Sequence, residues 1–185
     1  MKRVVKVGGS VITNKNSSEK PEVNLKVLDH LPDAVAYVFG VGAFGHKRAM
    51  KLGLTEEFVE VDVQDFESEL EAYYDLVRSN FEADKPVYFG RIVEEDGKWR
   101  IVSGDEIVVK LAIENDSDEI LYLTETGGVE MQDGSLLTEF DALDVLEVIS
   151  GMKNTDYVDA TGGMLGKLKK IKDLGFRGRV KFSKL

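Results

Sequence analysis

The sequence predicts an α/β fold: a three-layer, open and mainly parallel β-sheet with helices on both faces. Three observations predict it. Short apolar runs of strand type (Val4–Val7, Ala34–Phe39, Glu119–Leu123) alternate with segments of helical period. Two of these runs end in glycine-rich turns, Gly8-Gly9 and Gly40 to Gly45, as strands do where ligands gather in open α/β sheets. No internal repeat, low-complexity linker or Cys/His metal cluster interrupts the alternation, so residues 1–185 form a single domain.

Each element has its own signal. Val4, Val5 and Val7 form a buried-type strand closed by Gly8-Gly9, and Lys6 interrupts it, a costly residue to bury without an anionic partner. Asn14–Val23 is polar, carries Pro21 and reads as a loop; Asn24–Leu31 is a short helix closed by Pro32. Ala34–Phe39 is the second strand, and Lys47–Leu54 is the helix after its glycine turn. Thr55–Glu82 reads as mainly one amphipathic helix, with Phe66, Leu70, Tyr73, Tyr74 and Val77 as a core or dimer-facing stripe. A β-hairpin at about 87–102 joins Val87–Val93 to Trp99–Val102 through Asp96-Gly97. Ser103-Gly104-Asp105 leads into a helix over Glu106–Ile113. After the strand Glu119–Leu123 come a polar stretch, Thr124–Gly134, and a helix, Asp141–Met152. The run from Asp159 to Lys167 opens a helix reaching about Leu174, and Gly175–Phe182 is a last strand.

Composition narrows the function. Hydrophobic residues make up 43% and charged residues 31%, as in ordinary globular proteins, and the net charge is −10. Such an acidic chain repels nucleic acid and anionic membranes, so neither is expected as a partner. Lys167, Lys169, Lys170 and Lys172 fall at helical spacing and read as a solvated face. The absence of cysteine excludes disulfides and thiol chemistry. No apolar run approaches the roughly 18 residues of a membrane helix, and no signal peptide precedes the first strand; a cytoplasmic location is expected.

The chemistry concentrates in Val4–Lys15. Gly8 and Gly9 let backbone N–H groups approach a ligand, Ser10 adds a hydroxyl, and Lys6 and Lys15 add charge, a set that would suit a polyphosphate, although Gly-Gly after a strand also reads as an ordinary turn.

These segments, taken in order, resemble the amino acid kinase superfamily and, within it, the isopentenyl phosphate kinases. The motifs are Lys6-Val-Gly-Gly-Ser10 with Ile12 to Lys15, Gly40-Val-Gly-Ala-Phe-Gly-His46, Pro86 to Gly90 with the hairpin, Ile101 to Asp105, Leu123-Thr124 with Gly128-Val129, and Asp159 to Lys167. The resemblance covers nearly the whole chain. It implies transfer of the γ-phosphoryl group of ATP, with Mg²⁺, to the phosphate of isopentenyl phosphate, a step of isoprenoid synthesis by an archaeal-type mevalonate route. It implies an acceptor-binding part over about 1–115, a nucleotide-binding part over about 116–185, and a homodimer. By resemblance Lys6, Gly8, Gly9 and Ser10 hold the ATP phosphates, Lys15 stabilises the transition state, and Gly42 lies near the transferred group. His46, with the backbone of Val41 and Gly104, holds the acceptor phosphate. Thr124 and Glu125 border the nucleotide, and Gly163 and Lys167 reach its phosphates. No protein ligand for a metal is assigned. Asp105, placed with the acceptor residues, has three roles open to it: orienting a lysine, contacting Mg²⁺, or capping the helix at Glu106.

The roles make physical sense, because phosphoryl transfer needs positioning and cations where charge accumulates. Two other readings stay open: the same fold acting on another small phosphate or phosphonate, and a non-catalytic nucleotide-binding protein. The chain departs from the resemblance in five places, one being that it stops soon after the Gly175–Phe182 strand, before the family's usual last segments. It is short between His46 and Pro86, it reads Thr124-Glu-Thr-Gly-Gly-Val-Glu130 where the family reads Thr-Asp-Val-Asp-Gly-Val-Tyr, and Ala43 and Arg91 replace a serine and a frequent aspartate.

Overall fold

The computed structural model describes residues 1–13, 22–81, 84–153 and 162–185. Strand β1 (Arg3–Val7) lies inside a sheet because four of its five residues are buried and bond on both sides. It pairs in parallel with β2 (Ala36–Phe39) on one flank and with β6 (Glu119–Leu123) on the other. Beyond β2 lies β3 (Val87–Phe89), also parallel. Beyond β6 lie the parallel β10 (Arg179–Ser183) and an antiparallel edge strand, β9 (Glu139–Asp141). The order β3-β2-β1-β6-β10-β9 is thus mainly parallel, as the alternation predicts.

Side chains alternate across this sheet and divide the core in two. Val4, Val38, Ile120, Tyr122, Val180 and Phe182 face α4 (Gly104–Glu114), α5 (Val145–Gly151) and α6 (Gly163–Leu174). Val5, Val7, Phe39, Leu121 and Leu123 face α1 (Gly9–Ile12), α2 (Gly42–Leu52), α3 (Gln64–Asn80) and a 3₁₀ turn at Leu25–His30. That is the expected three-layer arrangement. Two small antiparallel ribbons complete it: β4 (Arg91–Glu95) with β5 (Lys98–Val102), and β7 (Val129–Glu130) with β8 (Leu136–Leu137). Among the described residues no helix is long and apolar enough to cross a membrane.

Several expected boundaries move. The long amphipathic helix starts at Gln64 rather than Thr55. The segment before it is extended, and Val59 exchanges backbone hydrogen bonds with Trp99 of the hairpin at 2.8 and 2.7 Å. The helix after β2 begins at Gly42, five residues earlier than Lys47, because Gly42 adopts φ +68° and turns the chain straight into helix. The hairpin covers 91–102 and not 87–102. At Gly90 the chain leaves the main sheet, so Val87–Phe89 pairs with β2 while Arg91–Glu95 pairs with β5. The 145–151 helix is shorter than Asp141–Met152, since Glu139–Asp141 is the edge strand and Ala142–Asp144 a 3₁₀ turn. The Asn14–Val23 loop lies largely outside the described residues.

The α3 stripe is core. Phe66, Leu70, Tyr73, Tyr74 and Val77 are all buried against the sheet. Its two tyrosines also reach the strand ends: Tyr73 Oη donates to the Gly40 carbonyl at 2.7 Å and Tyr74 Oη to that of Gly90 at 2.6 Å. Each glycine carbonyl therefore depends on a buried phenol. Tyr73→Phe keeps the ring and orphans the Gly40 carbonyl. It is expected to lower stability by about 1–3 kcal/mol, seen as a lower denaturant midpoint at an unchanged slope. An unmoved midpoint would mean that the carbonyl finds another donor.

Candidate active site

The carboxyl ends of β1, β2 and β6 meet at one edge of the sheet, and the strand order reverses there: the chain goes outward from β1 through β2 to β3, then returns to β6 on the opposite side of β1. Helices α2, α4 and α6 all begin at this edge with glycine. The two glycine turns touch. A Cβ on Gly9 would fall inside the backbone of Gly42, one on Gly40 would lie 2.8 Å from the Gly9 nitrogen, and one on Gly42 would strike Thr13. Backbone packing against backbone thus requires Gly9 and Gly42, whatever they do for a ligand. Gly8 N donates to the Leu123 carbonyl at 2.8 Å, which holds the turn against the end of β6. Ser10 is exposed on the first turn of α1. Lys15 lies outside the described residues.

Lys6 finds its anionic partner in Asp105. Its ammonium lies 3.2 Å from Asp105 Oδ1 as an ion pair, while Lys167 Nζ donates to Oδ2 at 2.8 Å. All three side chains are buried. Burial pushes the Asp105 carboxyl up, but the Lys167 and Lys6 ammoniums outweigh it and hold the group well below the usual carboxylate range. Asp105 is therefore the residue that orients lysines, and it is not the helix cap. Ser103 caps α4, its Oγ accepting from Glu106 N at 3.1 Å. Lys167 also sits 5.0 Å from the ring centre of Tyr122, which stands beside Lys6 across the β1–β6 ladder. Tyr122 stacks on Phe182, and burial together with the Asp105 carboxylate pushes its phenol far up.

Beside this cluster opens a mostly apolar pocket with a few polar groups converging on it, the lining that small-molecule sites have. Lys6, Gly40, Val41, Gly45, half-buried His46, and Ser103 to Asp105 line one part of it. Ala49, Phe66, Leu70, Ile92 and Ile101 line the rest. Val41, His46, Gly104 and Asp105, all expected at an acceptor site, are thus brought to one cavity with Lys6. His46 stands inside α2 and does not precede the helix. Arg91 is exposed at the pocket's rim.

The residues expected at the nucleotide lie around the neighbouring strand ends. Thr124 follows β6, its N–H donating to the Ser183 carbonyl of β10 at 3.0 Å and its Oγ1 accepting from Gly127 N at 3.0 Å. Glu125 is exposed. The glycine that replaces the family's acid at 127 has a structural cause: it holds φ +73°, and a Cβ there would meet Lys184 at 2.8 Å. Gly162, at φ +80°, starts α6, with Gly163 as its first residue and Lys167 one turn in. Residues 159–161 of that motif lie outside the described residues. The lysine run is not a uniform solvated face, because Lys167 is buried and Lys170 pairs with Glu56 at 2.8 Å.

Sequence reasoning passed over Tyr122 and the pocket-facing Ile92 and Ile101. The alternation of the hairpin was the available signal for the isoleucines, which pair directly across β4 and β5. Tyr122 offered none beyond its place in an apolar strand.

Comparison with known proteins agrees with this architecture. The family model described as the Amino acid kinase family matches residues 69–182. The chain is similar to isopentenyl phosphate kinase from Methanothermobacter thermautotrophicus, at 25% identity over 237 residues covering 95% of this chain and 87% of that protein. That alignment is longer than this 185-residue chain, so the relative carries stretches with no counterpart here. It is similar to isopentenyl phosphate kinase from Methanocaldococcus jannaschii, at 36% identity over 96 residues, 51% of this chain and 36% of that protein. Among solved structures, the T. acidophilum isopentenyl phosphate kinase product complex shares the fold, with TM-score 0.60 and 21% identity over 98% of this chain and 100% of that one. With the family match spanning most of the chain and the sheet order and strand-end site in place, this chain belongs to the amino acid kinase family.

Proposed function

We propose that this chain transfers the γ-phosphoryl group of ATP to the phosphate of isopentenyl phosphate, giving isopentenyl diphosphate and ADP. One observation carries the reading: a single pocket is lined both by Lys6, His46 and the glycine turns and by the apolar Ala49, Phe66, Leu70, Ile92 and Ile101. A small phosphate ester with a short hydrocarbon tail matches both. The curated relatives named isopentenyl phosphate kinase support the same substrate.

In this reading an oxygen of the acceptor phosphate attacks the γ-phosphorus, the bond from that phosphorus to the β–γ bridging oxygen breaks, and ADP leaves with the electron pair. His46 and the N–H groups near Val41 and Gly104 hold the acceptor phosphate. Gly8, Gly9 and Ser10 border the nucleotide phosphates from β1, Gly42 lies beside them, and Gly163 and Lys167 approach from α6. Thr124 and Glu125 flank the nucleoside. Lys6 stands between acceptor and donor, where negative charge accumulates. Asp105 keeps Lys6 and Lys167 close together before the substrates arrive. Both of its oxygens face ammonium groups, and among the described residues no cluster of acids or histidines is placed to hold a metal. Among the described residues the side chains therefore do not fit a protein-held Mg²⁺. The ion would enter on the ATP phosphates and offset their charge.

The direct test is a screen of phosphorylated acceptors with ATP and Mg²⁺, read as ADP release and as new diphosphate product. Isopentenyl phosphate should be the best acceptor. No turnover with it, alongside turnover of an unrelated phosphate, would refute the assignment.

Three variants test the roles. His46→Ala should raise the acceptor KM roughly 10- to 150-fold and leave ATP binding nearly intact, as for loss of one hydrogen bond to a charged group, with partial recovery in His46→Gln. Collapse of ATP binding with unchanged acceptor kinetics would place the histidine at the nucleotide instead. Lys15→Ala should lower kcat by on the order of 10²-fold with little change in ATP affinity. A raised KM for ATP with normal kcat would contradict a transition-state role. Asp105→Asn leaves two buried ammoniums without their counter-charge and should cost about 3–5 kcal/mol of stability. Because the folded Asp105 pKa is depressed, its contribution is complete above the ordinary carboxylate range, begins to fall as pH drops through that range, and is gone only below the depressed folded value. Wild-type stability should therefore drop on acidification, and that of Asp105→Asn should drop less.

A further inference from the structure

Helix α6 is gripped twice by the first turn of α4. Asp105 takes Lys167, and the next residue, Glu106, faces Lys170, three positions along the same side of α6. Glu106 is buried, and it collects three cations. Lys110 Nζ donates to its Oε1 at 2.6 Å, Arg100 lies 3.8 Å and Lys170 3.9 Å from its Oε2. Lys170 also donates to Glu56 Oε2 at 2.8 Å, and so ties α6 to the connector that follows α2. Arg100 stacks at 5.4 Å over Phe58 of that connector and reaches the cluster from the hairpin. Four elements that carry or line the site are joined at this point: α6, α4, the connector and the hairpin.

The two grips differ in what the reaction asks of them. If Lys167 turns to a nucleotide phosphate, its bond to Asp105 weakens, and α6 loses that hold on α4 just when its position matters. Lys170 does not line the pocket, and its partners Glu56 and Glu106 are protein carboxylates that need not be exchanged when substrates bind. From this geometry we infer that Lys170 is a positioning residue: through Glu56 and Glu106 it fixes α6 against the acceptor half of the site, so that Lys167 can exchange Asp105 for phosphate without the helix shifting. The inference rests on the assignment of Lys167 to the nucleotide.

The experiment compares Lys170→Met, Lys170→Arg, Glu56→Gln, the Glu56→Gln/Lys170→Met pair and Lys167→Ala in the full chain. ATP binding is followed by calorimetry, steady-state kinetics with both substrates, and thermal melting. Lys170→Met should raise the KM and Kd for ATP roughly tenfold, as for loss of one charge-assisted contact, and leave the acceptor KM nearly unchanged. Lys170→Arg should restore most of the loss. Glu56→Gln should show a smaller effect of the same kind, and the double variant should be no worse than Lys170→Met alone, as for partners in one network. Should Lys170→Met fail to fold, Glu56→Gln carries the measurement at the exposed end of the pair. Unchanged ATP binding in Lys170→Met, or equal losses for both substrates with a lower Tm and no rescue by arginine, overturns the positioning role. If Lys167→Ala binds ATP normally, the nucleotide assignment fails and the inference falls with it. If Lys167→Ala loses ATP while Lys170→Met does not, only the inference falls.

Discussion

Lys6 stands in the middle strand of a sheet whose neighbours are valines, leucines and tyrosine, where a lone ammonium would cost several kcal/mol. The fold answers that cost with one carboxylate, Asp105, delivered by a different element and shared with a second lysine from a third. Three elements distant in the chain therefore cannot be arranged independently. α4 must begin where Ser103 caps it, so that Asp105 falls in the first turn and faces the sheet, and α6 must lie against α4 for Lys167 to reach the same group. The charge arrangement that suits anionic substrates is also the one that makes the buried charges tolerable.

A second constraint is steric. The first and second strand ends meet through Gly9 and Gly42 with no room for a side chain on either. That contact brings the two turns to one edge, and it lets α2 start early enough to place His46 inside its second turn. The tyrosines of α3 then satisfy the carbonyls of Gly40 and Gly90, two glycines of the pocket lining. The pocket wall follows from this packing, because Phe66 and Leu70 on α3 close a cavity whose other side is Ile92 and Ile101 of the hairpin. The connector between α2 and α3 lies along β5, held by the Val59–Trp99 backbone pair and by Ile101 N donating to the Thr55 carbonyl.

The sequence by itself determined the layers. Period-two and period-3.6 hydrophobicity, the glycine punctuation and the motif order were enough for a mainly parallel sheet with helices on both faces and for the α3 stripe, while the placing of Val41, His46, Gly104 and Asp105 together was only what the family resemblance implied. Those signals are local or follow chain order. Tertiary structure alone decided the rest. Whether Asp105 caps a helix or binds lysines depends on Ser103 taking the cap and on Lys6 and Lys167 arriving from elsewhere. Whether a lysine on α6 is solvated depends on which acids face it, so Lys167 and Lys170 could not be told from Lys169 and Lys172 by spacing. The hairpin's start at Gly90 was hidden because Val87–Phe89 and Arg91–Val93 are equally strand-like, and only pairing partners separate them. In each case the deciding interaction joins residues far apart in the chain, and their contact free energy leaves no periodic mark on the sequence.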